Sequence, residues 1–378
     1  MKARILVLLV SLICISAMAT ADETTPAYGI RSKDAEITAF TNATIQVNPT
    51  QVLEKATLVI RNGLVESVGP NVKIPADATV IDLAGKFVYP GFIDPYTEYG
   101  LGKKEKQERR GRGNDSPKYE ATRVGGSAWN DAIHASTEHV FSFAPDSKQA
   151  EEFHKIGFTT VQAAKFDGIF RGRSFVALLG EGLNNDLVLR AHSHHFLSFD
   201  KGSSEQSYPN SLMGSIAILR QTFLDTDWYQ KARAALAANP NQELPEYNRA
   251  CEAVAEAVNN NEPFVFETGD KLSYLRADKI AQEFGRTFIH VGSGDEYERI
   301  NEIAATKSVV ILPLNYPDAP AVGSYEDELD VALRALRHWE SAPTNASILE
   351  KNKIEFAFTT YRLDKKENFL ENLRKAVE

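Results

Sequence analysis

The chain has 378 residues, 43% of them hydrophobic and 25% charged, with 42 Lys and Arg against 51 Asp and Glu. This is ordinary globular composition, and the length exceeds one minimal domain, so one large domain with an accessory one is expected. The formal net charge of −9 gives no global reason to expect nucleic acid or an anionic membrane as a partner.

The N-terminus reads as a processing segment. Lys2 and Arg4 precede the apolar run ILVLLVSLICISAMA, and Ala19 and Ala21 are small residues where a signal peptidase reads. The run is about 15 residues, short of the ~20 that a spanning helix needs. Cys14 follows Ile13 rather than a small residue, so no lipid anchor is expected. Residues 1–21 are thus expected to be a signal peptide cleaved after Ala21, leaving a periplasmic or secreted protein with no membrane span. The mature chain keeps Cys251 alone. One thiol cannot form an internal disulfide, and within YNRACEAVAEAV it reads as a small buried residue on a helix.

From Ile37 to Val88 short β segments alternate with turns. ATLVIRNGLVESVG is a hairpin signal around Asn62-Gly63, and ATVIDLAGKFVYPG repeats the pattern around Ala84-Gly85. Residues 22–88 are therefore expected to form a small β-sheet domain. After Pro90, strands such as FTTVQAA, PFVFET, TFIHVGSG, SVVILPL and IEFAFTTY alternate with helical segments. The longest helix is SLMGSIAILRQTFLDTDWYQKARAALAA, and YEDELDVALRALRHWE reads as another. Such alternation over more than ~250 residues implies parallel strands joined by crossovers, with a (β/α)8 barrel favoured over a doubly wound open sheet. Residues 102–126 form a polar, locally basic excursion, read as a solvated loop, and 198–210 form a second loop. The chain stops at Glu378 within a helical pattern, which suggests a boundary imposed on a longer polypeptide.

The segments NGLVESVGP and ATVIDLAGKFVYPGFID, with GFTTVQ, YPNSLMGSIAILRQTFLDTDWY and LRADKIAQEFGRTFIHVGSGDEYERI, resemble the amidohydrolase superfamily, and imidazolonepropionase-like members most. The resemblance covers most of residues 37–378. It implies a small β-sandwich over 22–88 beside a metal-dependent (β/α)8 barrel over 89–378, expected to be cut short at its C-terminus. It also implies metal-assisted hydrolysis, usually of C–N bonds, in which zinc or a similar ion activates water and polarises a carbonyl. The family's His-x-His pair falls on Tyr96 and Glu98. Its fifth-strand histidine falls near Glu267, its sixth on Val291 or Gly292 beside His290, and its eighth-strand aspartate on Tyr361.

Most nitrogen donors of such a centre are thus replaced. The weak ligands left are Glu98, Glu267 and His290, and no metal or other cofactor is expected unless a reduced zinc site built from these three survives. The barrel-mouth residues are expected to be Tyr96, Glu98, Glu267, His290 and Tyr361, with the two tyrosines suited to stacking on an organic ligand. His192, His194 and His195 form the sole histidine cluster and read as surface or satisfied loop residues. His134, His139, His154 and His338 read as ordinary. Glu98 with Glu267 could form a glycosidase-like carboxylate pair. The leading expectation is a non-catalytic domain that pairs with a catalytic amidohydrolase domain or binds a small molecule. The alternatives are an active C–N hydrolase with a reduced site and a periplasmic binding module.

Overall fold

The computed structural model describes residues 36–102 and 116–378. The expected signal segment with its cleavage point, and residues 103–115 of the basic stretch, lie outside the described residues. The chain divides into two compact units, 1–90 and 91–378.

The first unit is one mixed five-stranded sheet. Strands β1 (Ile37–Asn48), β2 (Gln51–Arg61) and β3 (Leu64–Gly69) run antiparallel in sequence, while β4 (Thr79–Asp82) and β5 (Phe87–Val88) both pair in parallel with β1. Asn62 and Gly63 form the two-residue β2–β3 loop, both with positive φ (52° and 77°), which explains that pair at that place. The Ala84-Gly85 turn differs from expectation. It carries the chain from β4 to β5 along β1 rather than closing a hairpin. Small apolar clusters built on Ile37, Ala39 and Val59, and on Ala43, Ile45 and Ala56, hold the sheet. Among the described residues the unit is this single sheet, and the second layer of a sandwich is not seen.

The second unit is mixed α/β, as expected, but its ladders form two sheets. One is four-stranded in the order β10-β9-β7-β6, from β6 (Phe92–Thr97), β7 (Phe158–Ala163), β9 (Phe175–Leu178) and β10 (Val188–Arg190). The other is six-stranded, β15-β14-β13-β12-β11-β8, from β8 (Phe170–Arg173), β11 (His195–Ser198), β12 (Phe264–Glu267), β13 (Phe288–Val291), β14 (Val310–Pro313) and β15 (Phe356–Thr359). Strands β11 to β15 are mutually parallel, and β8 joins their edge antiparallel. The outer edges β6 and β15 are tied by Asp94, which accepts from Thr359 Oγ1 (2.7 Å) and from Thr360 N and Oγ1 (3.0 and 2.6 Å).

Helices fill the crossovers. They are α1 (Ser147–Lys155), α2 (Leu212–Ala238), α3 (Arg249–Asn259), α4 (Lys271–Glu283), α5 (Ile300–Thr306), α6 (Tyr325–Asp330), α7 (Leu333–Ser341), α8 (Asn345–Lys351) and α9 (Phe369–Val377), besides a single turn at Asn184–Leu187. Asp146, Ser211, Asn248, Asp270 and Ser324 cap α1, α2, α3, α4 and α6 by accepting first-turn amides. The YEDELDVALRALRHWE segment is two helices rather than one, broken where Val331 and Ala332 take extended backbone (ψ 113° and 133°). Among the described residues no helix is long and apolar enough to cross a membrane.

The strands are apolar on both faces, and alternation assigns each side chain to a layer. Phe196, Val265, Val291 and Ile311 point to one side and pack with Tyr96 and Ala164. Phe264, Phe266 and Phe288, on intervening positions, point to the helices and meet Phe223 and Ile280. Gly91 is glycine because β6 enters the sheet against Thr159. A Cβ there would lie 2.2 Å from Thr159 Oγ1.

Candidate functional site

At the C-terminal ends of these strands, one carboxylate gathers four expected or unexpected partners. Glu267, the last residue of β12, accepts from Tyr96 Oη (2.9 Å), Tyr361 Oη (2.7 Å) and Arg171 Nη1 (2.6 Å), with Arg362 Nη2 at 3.5 Å. Arg171 Nη1 also donates to Tyr96 Oη (2.5 Å), and Arg171 Nε to the Gly168 carbonyl (3.3 Å). Tyr96, next to last in β6, lies between two rings, Phe166 at 4.2 Å and Phe196 at 4.9 Å between centroids, and Tyr361 meets it edge-on at 4.9 Å. These stacks fix the rings that carry the phenols. Arg362 stands at φ 65°, a strained backbone for arginine, with its guanidinium 5.1 Å over the Tyr361 ring.

Protonation follows from this packing. Burial pushes the Glu267 carboxyl up, but Arg171 and the hydrogen bonds from Tyr361, Arg171 and Tyr96 outweigh it, leaving the group below its ordinary value. Burial raises Tyr361 to about 12 and, despite Arg171, Tyr96 well above the usual phenol value. Arg171 is shifted further up by Tyr96 and Glu267 against the cost of burial. The cluster is therefore a buried carboxylate–guanidinium pair wrapped by two neutral phenols.

Of the five residues expected at the mouth, the structure brings Tyr96, Glu267 and Tyr361 into one network. Glu98 lies beside it, with one oxygen accepting from Phe166 N (2.7 Å). Glu98, Tyr96, Phe166 and Tyr361 line a cleft of about 640 Å³ whose rim carries Lys148, Glu152 and Lys366. His290 does not join them. Its neighbours Ile289 and Val291 face the inner cluster, and His290 points the other way, fully buried against the Tyr274 ring of α4 at 4.0 Å. A one-residue offset on a strand reverses the face. Glu98 accepts from a backbone amide, whereas Glu267 is committed to Arg171 and the two phenols.

Arg171, Arg362 and Phe166 were not reached from sequence. Arg171 sits in GIFRGRSF, which matches no motif. The available signal was Glu267 itself, since a carboxylate buried at the end of an apolar strand requires a cation. The histidine cluster is surface or satisfied loop at His192 and His194 but not at His195, which lies fully buried on β11 with neither ring nitrogen hydrogen-bonded. His192 Nδ1 meets Glu138 Oε2 (2.9 Å), His194 Nδ1 lies within hydrogen-bond distance of Gln162 and Ser193, and His195 is buried beside Phe264.

The donor set does not fit the family's metal. Both Glu267 oxygens are engaged, both phenols are held neutral, and among the described residues no histidine lines the cleft. A divalent ion at about 4 Å from the Arg171 guanidinium would be repelled by on the order of 8 kcal/mol at an effective dielectric of ~20, as much as one carboxylate at that distance returns. Among the described residues no group of three or more His, Cys, Asp or Glu side chains is arranged to hold a metal ion.

No protein-family model matches the chain. A dihydropyrimidinase from Arabidopsis thaliana is 44% identical over 48 residues, 13% of this chain and 9% of that protein. An imidazolonepropionase from Geobacillus thermodenitrificans is 26% identical over 163 residues, 40% of this chain and 36% of that one. The chain thus spans well under half the length of these curated relatives. In structure it resembles an amidohydrolase from Thermotoga maritima MSB8, with a TM-score of 0.65 and 20% identity over 90% of this chain and 82% of that chain, a likeness of fold. The short sequence matches and the fold agree in making the chain similar to members of the amidohydrolase superfamily.

Proposed function

We propose that this chain is an amidohydrolase-fold domain without metal catalysis, in which the Arg171 guanidinium takes the place of the metal ion and the cleft above it binds a small organic molecule. The observation that carries this reading is the 2.6 Å contact between Arg171 Nη1 and Glu267 Oε2 inside a ring of phenols. A cation built into the chain supplies the charge that would hold the carboxylate and the two oxygens beside it, but it offers no open coordination position and cannot activate water. In this reading the two sheets, tied through Asp94, Thr359 and Thr360, form the wall of a distorted (β/α)8 barrel, and the cleft lies at its mouth.

Aromatic walls from Phe166 and Tyr361 and the Glu98 carboxylate suit a flat, hydrogen-bond-donating ligand. The test is a thermal-shift screen of small amides and heterocycles on the purified chain, followed by product analysis. A ligand that raises Tm without being consumed, and does so less with Tyr361→Ala, supports the reading. Hydrolysis of a C–N bond that depends on an added divalent metal and is lost with Glu98→Ala would overturn it. The alternative of a working site built from Glu98, Glu267 and His290 is disfavoured, because His290 faces the helix layer.

A further inference from the structure

We infer that the hollow between α2, the start of α3 and the 121–129 segment is a binding site for a small quaternary ammonium compound, separate from the cleft at Tyr96 and Tyr361. The cavity measures about 490 Å³ and shares no lining residue with that cleft. Two of the chain's three tryptophans, Trp129 and Trp228, line it together with Tyr229 and Tyr247. Trp228 is 61% exposed, Tyr247 53% and Trp129 45%. Single exposed apolar residues are common, but three large rings left in water around one concavity mark a binding surface. The rings are held in place. Trp129 stacks on Tyr208 at 6.3 Å between centroids, and the Tyr229 phenol donates to Glu252 (3.2 Å). A hydrogen bond to the same carboxylate raises the Tyr247 phenol above its ordinary value. Tyr247 also packs against Gly126, where a Cβ would come within 2.6 Å of the ring.

Charge sets the sign of the ligand. Asp225, one turn before Trp228 and Tyr229 on α2, and Glu246, beside Tyr247 in sequence, put two carboxylates on the wall. Neither has an ion-pair partner among the described residues, and Asp225 Oδ1 accepts from the neutral Gln221 amide (2.5 Å). The groups that would hold an anion are already committed. Arg123 Nε faces Asp131 (3.4 Å), and its Nη2 donates to the Asn130 and Ile133 carbonyls (2.9 and 2.8 Å). At the start of α3, Arg249 N donates to the Gly126 carbonyl (2.7 Å) and Cys251 N to the Asn248 side chain (3.0 Å). Aromatic rings and unpaired acid groups remain, the combination that attracts a cation. A metal ion would need a cage of oxygen ligands, and no such group of side chains is arranged here among the described residues. A methylated ammonium needs no such cage, because its charge is spread over methyl groups that pack on ring faces.

Titration of the full chain with choline, followed by tryptophan fluorescence and calorimetry, tests the inference. The control is dimethylbutanol with a tert-butyl head, the neutral compound of the same shape. Choline should saturate below about 10 mM, and the neutral isostere should bind at least about tenfold more weakly. Trp228→Ala should weaken choline binding about tenfold and Asp225→Asn about threefold, with circular dichroism confirming that each variant is folded. Failure of choline to saturate by that concentration overturns the inference. So does equal affinity for the neutral isostere, or binding indifferent to either substitution.

Discussion

Replacing Arg171 with methionine keeps the volume of the side chain's stem but removes the charge that lies 2.6 Å from Glu267. Glu267 then keeps two phenol donors and the more distant Arg362 at 3.5 Å, in a position where its side chain is only 17% exposed. Stripping one partner from a fully buried pair costs roughly 3–5 kcal/mol. The residual exposure and Arg362 bring the expected loss to about 3 kcal/mol. Glu267→Gln should cost a similar amount, because it leaves the Arg171 guanidinium buried with Tyr96 and the Gly168 carbonyl only. Removing both together should cost about 3 kcal/mol rather than 6, a coupling of about 3 kcal/mol, read from urea unfolding of the four proteins at pH 7.

The pH dependence gives an independent check. In the wild type Glu267 is held below its ordinary value, so its contribution is present above about pH 4.5 and lost as pH falls further. In Arg171→Met burial dominates, the folded value rises above the ordinary one, and that contribution is instead lost as pH rises. The variant should therefore lose less stability than wild type between pH 5 and pH 3.5. Additive single costs, each under about 1 kcal/mol, with unchanged pH profiles would refute the view of this cluster as one electrostatic unit.

Burial holds His290 near pKa 3, against an ordinary value of 6.5, so the unfolded chain takes up a proton that the folded chain refuses as pH falls below 6.5. From this group alone, stability at pH 4.5 should be about 2.5 kcal/mol lower than at pH 7.5. His290→Leu should remove that increment from unfolding curves measured at the two pH values, and equal losses in both proteins would count against it. Asp94→Ala should destabilise by about 3 kcal/mol, because the Thr360 amide and the Thr359 and Thr360 hydroxyls lose their acceptor at the tie between the two sheets. A loss under 1 kcal/mol in chemical denaturation would show that the tie is dispensable. Burial pushes the Cys251 thiol up to about 11. Its reaction with a chromogenic disulfide at pH 8 should be slow in the folded protein and fast in urea. Equal rates would mean that α3 opens readily.

The legibility of this chain follows what local patterning can encode. Alternating apolar strands and helices, the Asn62-Gly63 loop and the stop at Gly157 after α1 are short-range signals, and each marks an element that forms. The arrangement of strands is set by long-range pairing. Two parallel segments beside one another, β4 and β5 on β1, read from sequence as a hairpin because turn chemistry does not say which strand is the partner. At the site, Tyr96, Glu98, Glu267 and Tyr361 were reachable because a family motif marks their places. Arg171 was not, because its role depends on β8 joining the edge of β11, a contact that no local signal announces. His290 shows the sharpness of strand geometry. The residue type suits a metal site, but Val291 holds the inward position and sends the imidazole against Tyr274.

Metal content measures the central claim most directly. Full-length purified chain, loaded with zinc, manganese or iron and freed of excess, should carry well under one tenth of an equivalent of metal by plasma mass spectrometry, with no calorimetric signal on titration. One equivalent bound per chain, and lost on Glu267→Ala, would contradict the account: the guanidinium of Arg171 would then not fill the place of the ion.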